Sequence, residues 1–229
     1  MGIEHFWTTA DAMSRGVAIT LLMMSIASWS ILLVRASNLM VIRRTSKQQL
    51  PLLWQSSSPE DALRLLLKGD RSHLFADITT TAVDARLRHS QAVTQDDTLP
   101  LNDLVTSALQ HALLEAQARL ESGLVVLASV SSTAPFVGLL GTVWGIYHAL
   151  TGLAGESQVI LGQVAGPVGE ALIMTAAGLF TAIPAVLGYN AIVRANRRIT
   201  AHLDGFAHAL HAWIIAGIKA GPSTSPGEQ

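Results

Sequence analysis

A lone carboxylate is the residue best placed to do chemistry in this chain. Between Glu156 and Arg194, Glu170 is the only acid, lysine or arginine, and it lies in the stretch Gly166-Pro167-Val168-Gly169-Glu170-Ala171-Leu172, followed by Thr175 and Gly178. A carboxylate among apolar side chains loses the hydration of its charged form and so exchanges its proton nearer neutral pH. That suits a proton relay or gate, alternately seeking and releasing a partner as it ionises and protonates. The plainer alternative is an acid that fixes packing through one hydrogen bond. Eleven residues are close to three helical turns, so Thr181 is placed near the angle of Glu170 while Thr175 is well off it.

The elements that must hold this acid are membrane spans. Half of the 229 residues are hydrophobic and only 14% are charged, against about 25% in soluble domains. Residues 16–34, 122–155 and 171–193 carry no lysine, arginine, aspartate or glutamate. At about 1.5 Å per residue even the shortest run reaches roughly 28 Å, the depth of a bilayer core. The first run is too long for the apolar part of a cleavable signal and lacks a small-residue cleavage site. The spacing predicts an all-α integral membrane protein with three transmembrane helices extended by cytoplasmic helices.

Orientation follows from the basic residues. One (Arg15) precedes the first span, ten lie between spans one and two, none lies between spans two and three, and four follow span three. Positive charge stays on the cytoplasmic side. The expected order is a periplasmic N-terminus (1–15), transmembrane helix one (16–35), a cytoplasmic helical domain (36–122), helix two (123–151), a periplasmic loop (152–163), helix three (164–193) and a cytoplasmic helix with a disordered tail (194–229). Phe6 and Trp7 suit a membrane interface. Ser58-Pro59-Glu60-Asp61 reads as a helix start, with a capping hydroxyl, a proline in the first turn and two acids at the positive end. Gly69 and Asp70 end that helix. Thr94 to Pro100 reads as a polar connector. From Leu101 the apolar spacing is helical and allows the chain to run unbroken into the second span.

Both later spans carry small residues at packing intervals. Helix two has Ser131, Ala134, Gly138, Gly141, Thr142, Gly145 and Ala149. Helix three has Ala171, Thr175, Gly178, Ala182 and Ala185, and beside them Glu170, Met174, Ala177, Thr181 and Pro184. Small residues let helix backbones approach in lipid. Two such faces and an acid exceed what three helices are expected to bury in a monomer, which argues for an oligomer. Pro135 and Pro184 predict kinks that neighbouring groups can repair.

The run Ala134-Pro135-Phe136-Val137-Gly138-Leu139-Leu140-Gly141-Thr142-Val143-Trp144-Gly145-Ile146 resembles the helix-two signature of the ExbB/TolQ/MotA proton-channel family. Gly169-Glu170-Ala171-Leu172, Thr175, Gly178-Leu179 and Ala182-Ile183-Pro184-Ala185-Val186 resemble its helix-three signature. The strong similarity covers residues 123–195. MotA members have a fourth membrane helix. Val164 to Glu170 and Asp204 to His211 are more similar to the ExbB branch of the TonB system, although the family usually has isoleucine and alanine where this chain has Val168 and Gly169. The resemblance implies a homopentameric inner-membrane channel of a Gram-negative bacterium. Such a channel encloses helices of ExbD and uses the proton motive force to drive TonB in iron–siderophore uptake. It implies that Glu170 is the essential carboxylate and that Thr142 and Thr175 line the pore. Each threonine has the alternative of bonding its own helix backbone. A TolQ-like envelope subunit and a non-conducting membrane scaffold are the competing functions.

Other chemistries find little footing. With no cysteine, disulfides and thiolate metal sites are excluded. His202, His208 and His211 share a helix without an acid to complete a metal site and read as a solvated face. His148, Trp144 and Tyr147 suit the outer interface. Net charge near zero argues against nucleic acid. No nucleophile–base pair and no phosphate loop is present, so neither enzyme activity nor a cofactor is expected, and the partners are protons, membrane lipids and the other subunits.

Overall fold

The computed structural model describes residues 11–92, 100–152 and 161–219, which form six α-helices: α1 (Ala12–Gln55), α2 (Pro59–Gly69), α3 (Leu74–Ala92), α4 (Leu101–Glu121), α5 (Leu124–Thr151) and α6 (Leu161–Ala216). Phe6, Trp7, residues 94–99 of the connector, residues 153–160 of the expected periplasmic loop and the tail after Gly221 lie outside the described residues. Three helical stretches, Ala12–Gln55, Leu101–Thr151 and Val164–Ala216, are long and apolar enough to cross a membrane, so the chain is a multi-pass membrane protein. It divides into two compact units, residues 1–34 with 123–192 and residues 35–122 with 193–229.

The first unit contains the three apolar runs. Asp11 starts α1 by accepting the Ser14 N–H at 2.9 Å, as an N-cap carboxylate does. Two hydroxyls of α1 turn back on their own backbone: Thr20 donates to Gly16 O at 2.8 Å and Ser30 to Ile26 O at 2.7 Å. A bilayer offers no water to satisfy them, so local carbonyls do. Outward faces carry large apolar groups such as Trp29, Phe136 and Phe180.

The second unit is built like a soluble helical domain. Leu53, Leu66, Phe75, Ile78, Leu203, Phe206 and Leu210 are almost wholly buried. The Phe206 ring meets Phe75 edge-on at 5.4 Å and Trp54 at 6.1 Å, and Trp54 meets Trp213 at 5.8 Å. Such pairs add to the burial of the rings themselves. The predicted start of α2 is present: Ser58 Oγ accepts the Asp61 N–H at 3.1 Å, and Pro59, Ala62 and Leu66 face inward. Asp70, which follows α2, is buried and accepts the backbone N–H groups of Phe75 and Ala76 at 2.9 and 3.0 Å, closing the start of α3.

The helices that carry the first and third apolar runs are extended beyond them, as expected. The helix of the first run continues to Gln55, through Pro51. Helix three and the following cytoplasmic helix are one element of 56 residues. Between α4 and α5, by contrast, the chain breaks. Gly123 has φ 78°, a left-handed conformation that glycine adopts without cost to a Cβ. The apolar pattern continues across this point, and the break belongs to the backbone of that glycine.

Candidate functional site

Backbone meets backbone in the first unit where α5 crosses α6. A Cβ added to Gly138 would lie 2.6 Å from Met174 O and 3.1 Å from Gly178 Cα. One added to Gly178 would lie 2.6 Å from Ala134 O. The two backbones therefore touch, as small residues permit in lipid. Gly141 faces both Met174 and Val17 of α1, and a Cβ on Gly145 would meet Ala171 Cβ at 2.8 Å. Ala182 is buried. A further close approach was not singled out from the sequence: Gly188 receives the Leu32 side chain of α1.

This changes the argument for an oligomer. The Ala171–Ala185 face packs inside one chain, and Met174 and Thr181 of the neighbouring face are buried there too. The faces expected to require a second copy are largely satisfied within the protomer, and the outward residues are large and apolar, as lipid also accepts.

One turn beyond the glycine contact lies a pair of hydroxyls. Thr142 Oγ1 is 2.5 Å from Thr175 Oγ1, 3.1 Å from Gly138 O and 3.2 Å from Ala171 O. A hydroxyl has one proton to give, so Thr142 donates to one acceptor at a time and receives from Thr175 when it donates to a carbonyl. Both readings of Thr142 meet here, the bond to its own helix and a bond to the neighbouring one. Thr181 is buried and donates to Ala177 O at 2.9 Å, within its own helix.

Glu170 is half-buried and precedes Ala171 on α6. Ala171 in turn presents its carbonyl to Thr142 and its methyl to Gly145. The acid and the hydroxyl pair thus sit at the two ends of the short segment 170–175. The helical angle separates Glu170 from Thr175, as the spacing requires; the link to Thr142 comes from the crossing of α5, which spacing along one helix does not contain. Pro135 and Pro184 lie within α5 and α6 without ending either helix. Each lacks an N–H, so the Ser131 and Phe180 carbonyls lose their usual helical partners.

A polar clasp near the start of α1 was not anticipated. The Trp144 indole N–H donates to Asp11 Oδ2, and Trp144 also lies 6.0 Å from the Tyr147 ring. Desolvation opposes the charged form of Asp11, but hydrogen bonds from Ser14 and Trp144 and the nearby His148 outweigh it and lower the carboxyl from 3.8 to about 2. A depressed carboxyl stabilises the folded form above its ordinary value and loses that effect only as pH falls through the folded one. The clasp is therefore intact at any physiological pH. The signal available in the sequence was an acid one residue before the start of the helix that carries the first apolar run.

The histidines do not assemble a site. His208 lies 3.7 Å from Asp204 and His211 Nε2 lies 3.2 Å from the Thr106 hydroxyl. Among the described residues no group of three histidines or acids is placed to hold a metal.

Comparison with known proteins matches residues 74–205 to the MotA/TolQ/ExbB proton channel family. The biopolymer transport protein ExbB of Xanthomonas campestris pv. campestris is 38% identical, over 96% of this chain and 90% of its own length. That of Neisseria meningitidis is 35% identical, over 94% of this chain and 98% of its own. The Tol-Pal system protein TolQ of Pseudomonas aeruginosa is 41% identical, but over 56% of this chain and 54% of its own.

Proposed function

The chain belongs to the MotA/TolQ/ExbB proton channel family, and on that footing we propose that it is an ExbB-like channel subunit, without enzymatic activity, that uses the proton motive force to energise transport. The similarity to proteins called ExbB runs nearly end to end, whereas that to TolQ covers about half the chain. In this reading the protein resides in the inner membrane with its N-terminus periplasmic and its C-terminus cytoplasmic, forms a homopentamer, holds ExbD helices in its pore and acts on TonB.

The observation that carries the mechanism is a single acid in an otherwise charge-free span, one residue before Ala171, whose carbonyl meets the Thr142 hydroxyl where α5 and α6 touch. Ionisable groups within membrane segments serve transport in most cases. Glu170 takes up and releases the proton. Thr142 and Thr175 offer hydroxyls that can accept and donate in turn, and the glycines hold the helices close enough for that pair to form. A change of charge at Glu170 changes which partner it prefers, and this drives the movement passed to TonB. Pro135 and Pro184 free carbonyls that permit the helices to flex.

The test is energised siderophore uptake in cells lacking their own ExbB and TolQ, supplied with this protein and its ExbD. Wild type restores uptake and Glu170→Gln does not, at equal membrane abundance. Restoration by both would reduce Glu170 to a packing residue and favour a non-conducting scaffold. Rescue of envelope integrity in place of uptake would move the assignment to a TolQ-like subunit.

A further inference from the structure

A cavity of about 290 Å³ lies wholly within the soluble-like unit and is lined by Arg35, Arg71 and Arg119, with Asn196, Leu39 and Ile42 among its walls. No carboxylate lines it. Two of its cationic walls are held in place. Arg35 donates to Arg119 O at 3.0 Å and to Ser122 O, and Arg119 pairs with Asp77 at 2.5 Å. Asn196 donates to Leu120 O at 2.7 Å. The nearby Asp70 is occupied by backbone N–H groups and by Ser72. Arg71 is exposed, and among the described residues its guanidinium has no partner. One guanidinium thus remains unpaired at a cavity whose other cations are fixed.

Position narrows the ligand. Arg35 directly follows the first charge-free run, Leu120 lies just before the second, and Asn196 lies just after the third. Residues that flank all three runs in sequence therefore line this one cavity, and the topology proposed above assigns such residues to the cytoplasmic membrane boundary. Its walls are more apolar than polar, with Leu39, Ile42 and Leu74 beside the arginines. Guanidinium groups bind phosphate through paired N–H donors, and basic pockets beside membrane helices on the cytoplasmic side favour acidic headgroups.

We propose that this cavity seats the phosphate of an anionic phospholipid of the inner leaflet, with Arg71 closing on it and Leu39 and Ile42 against the glycerol. The proposal rests on the topology given above. A free phosphate would share the arginines but would have no use for the apolar wall.

The experiment is native mass spectrometry of the full-length protein in detergent, titrated with dioleoyl phosphatidylglycerol or dioleoyl phosphatidylcholine. Phosphatidylglycerol binds more tightly, and Arg71→Gln weakens it about fivefold, the effect of one basic charge near a lipid surface. Arg71→Lys keeps most of the binding, and Arg88→Gln, on α3 and not among the cavity's lining residues, changes nothing. Equal binding of the two lipids, or an unchanged Arg71→Gln, overturns the site. Displacement of the lipid by an equal concentration of inorganic phosphate overturns the lipid in favour of the free anion. Detergent has no inside or outside, so a negative result counts against the cavity and not against the topology. The topology is read separately by labelling Ser107→Cys with an impermeant maleimide in intact cells, which the cysteine-free chain allows.

Discussion

In residues 123–192 two helices meet through backbone atoms, where Gly138 and Gly178 leave no room for a Cβ. In residues 35–122 and 193–216 the core holds a cluster of rings, where Phe206 sits among Phe75, Trp54 and, through Trp54, Trp213. Both regions are helical, but they answer to different solvents. Water drives large apolar groups together, so the soluble-like unit gains stability from the size of what it buries. Lipid is as apolar as leucine and gives no such drive, so the membrane unit relies on shape and on the few hydrogen bonds that cross between helices. The large apolar residues change sides accordingly: Phe75 is buried, whereas Phe136 and Phe180 are exposed.

This contrast is sharpest at Phe206. Phe206→Ala should cost about 3–5 kcal/mol, the usual loss for a buried aromatic, measured by denaturant unfolding of the detergent-solubilised protein. Phe180→Ala in the same helix should cost little in a single protomer. Comparable losses at the two positions would break the comparison, because Phe180 would then be packed as if in water.

Gly138→Ala comes next. Its new methyl would press on Met174 O, a backbone atom that cannot turn aside, so overpacking of about 1–3 kcal/mol is expected. Thermal stability in detergent, read by circular dichroism, would show it.

Thr142→Val removes an interhelical hydrogen bond at nearly constant volume. It should cost about 0.6 kcal/mol and no more than about 1.7. A double-mutant cycle with Thr175→Val checks the pairing: strictly additive losses would mean that the two hydroxyls do not depend on each other.

The smallest effect has the opposite sign. Gly205 lies in the middle of α6, exposed, with nothing near a Cβ. Gly205→Ala should stabilise the protein by about 0.5–1 kcal/mol by restricting the unfolded chain, in the same unfolding assay. A loss there would show that this face of α6 is not open.

What the sequence could show differed between these regions for the same physical reason. The three spans were legible because apolar runs have only one use at that length, and the start of α2 was legible because Ser58, Pro59 and Asp61 act within one turn. The small residues of α5 and α6 announced close packing, but a stripe does not say which helix it meets, so the partner face was assigned to another copy when α6 of the same chain supplies it. The Thr142–Thr175 contact was hidden for that reason, since it depends on the register between two helices. Gly123 was hidden because its neighbours keep the apolar pattern while its own backbone leaves it. Arg35 read as a topology signal and Asn196 was not singled out; their bonds to the end of α4 join residues more than seventy positions apart in sequence.

The glycine contact also bears on how this chain can vary. A single base change in a glycine codon that alters the residue brings in a side chain, and every side chain begins with the atom that Gly138 and Gly178 exclude. Neither position can be exchanged in one genetic step and still keep the helices where they are. A lineage that moved either one would first have to separate the two helices elsewhere, and the distance between the Thr142 and Thr175 hydroxyls would change with them. The spacing of that pair is thus guarded by two residues that have no side chain at all.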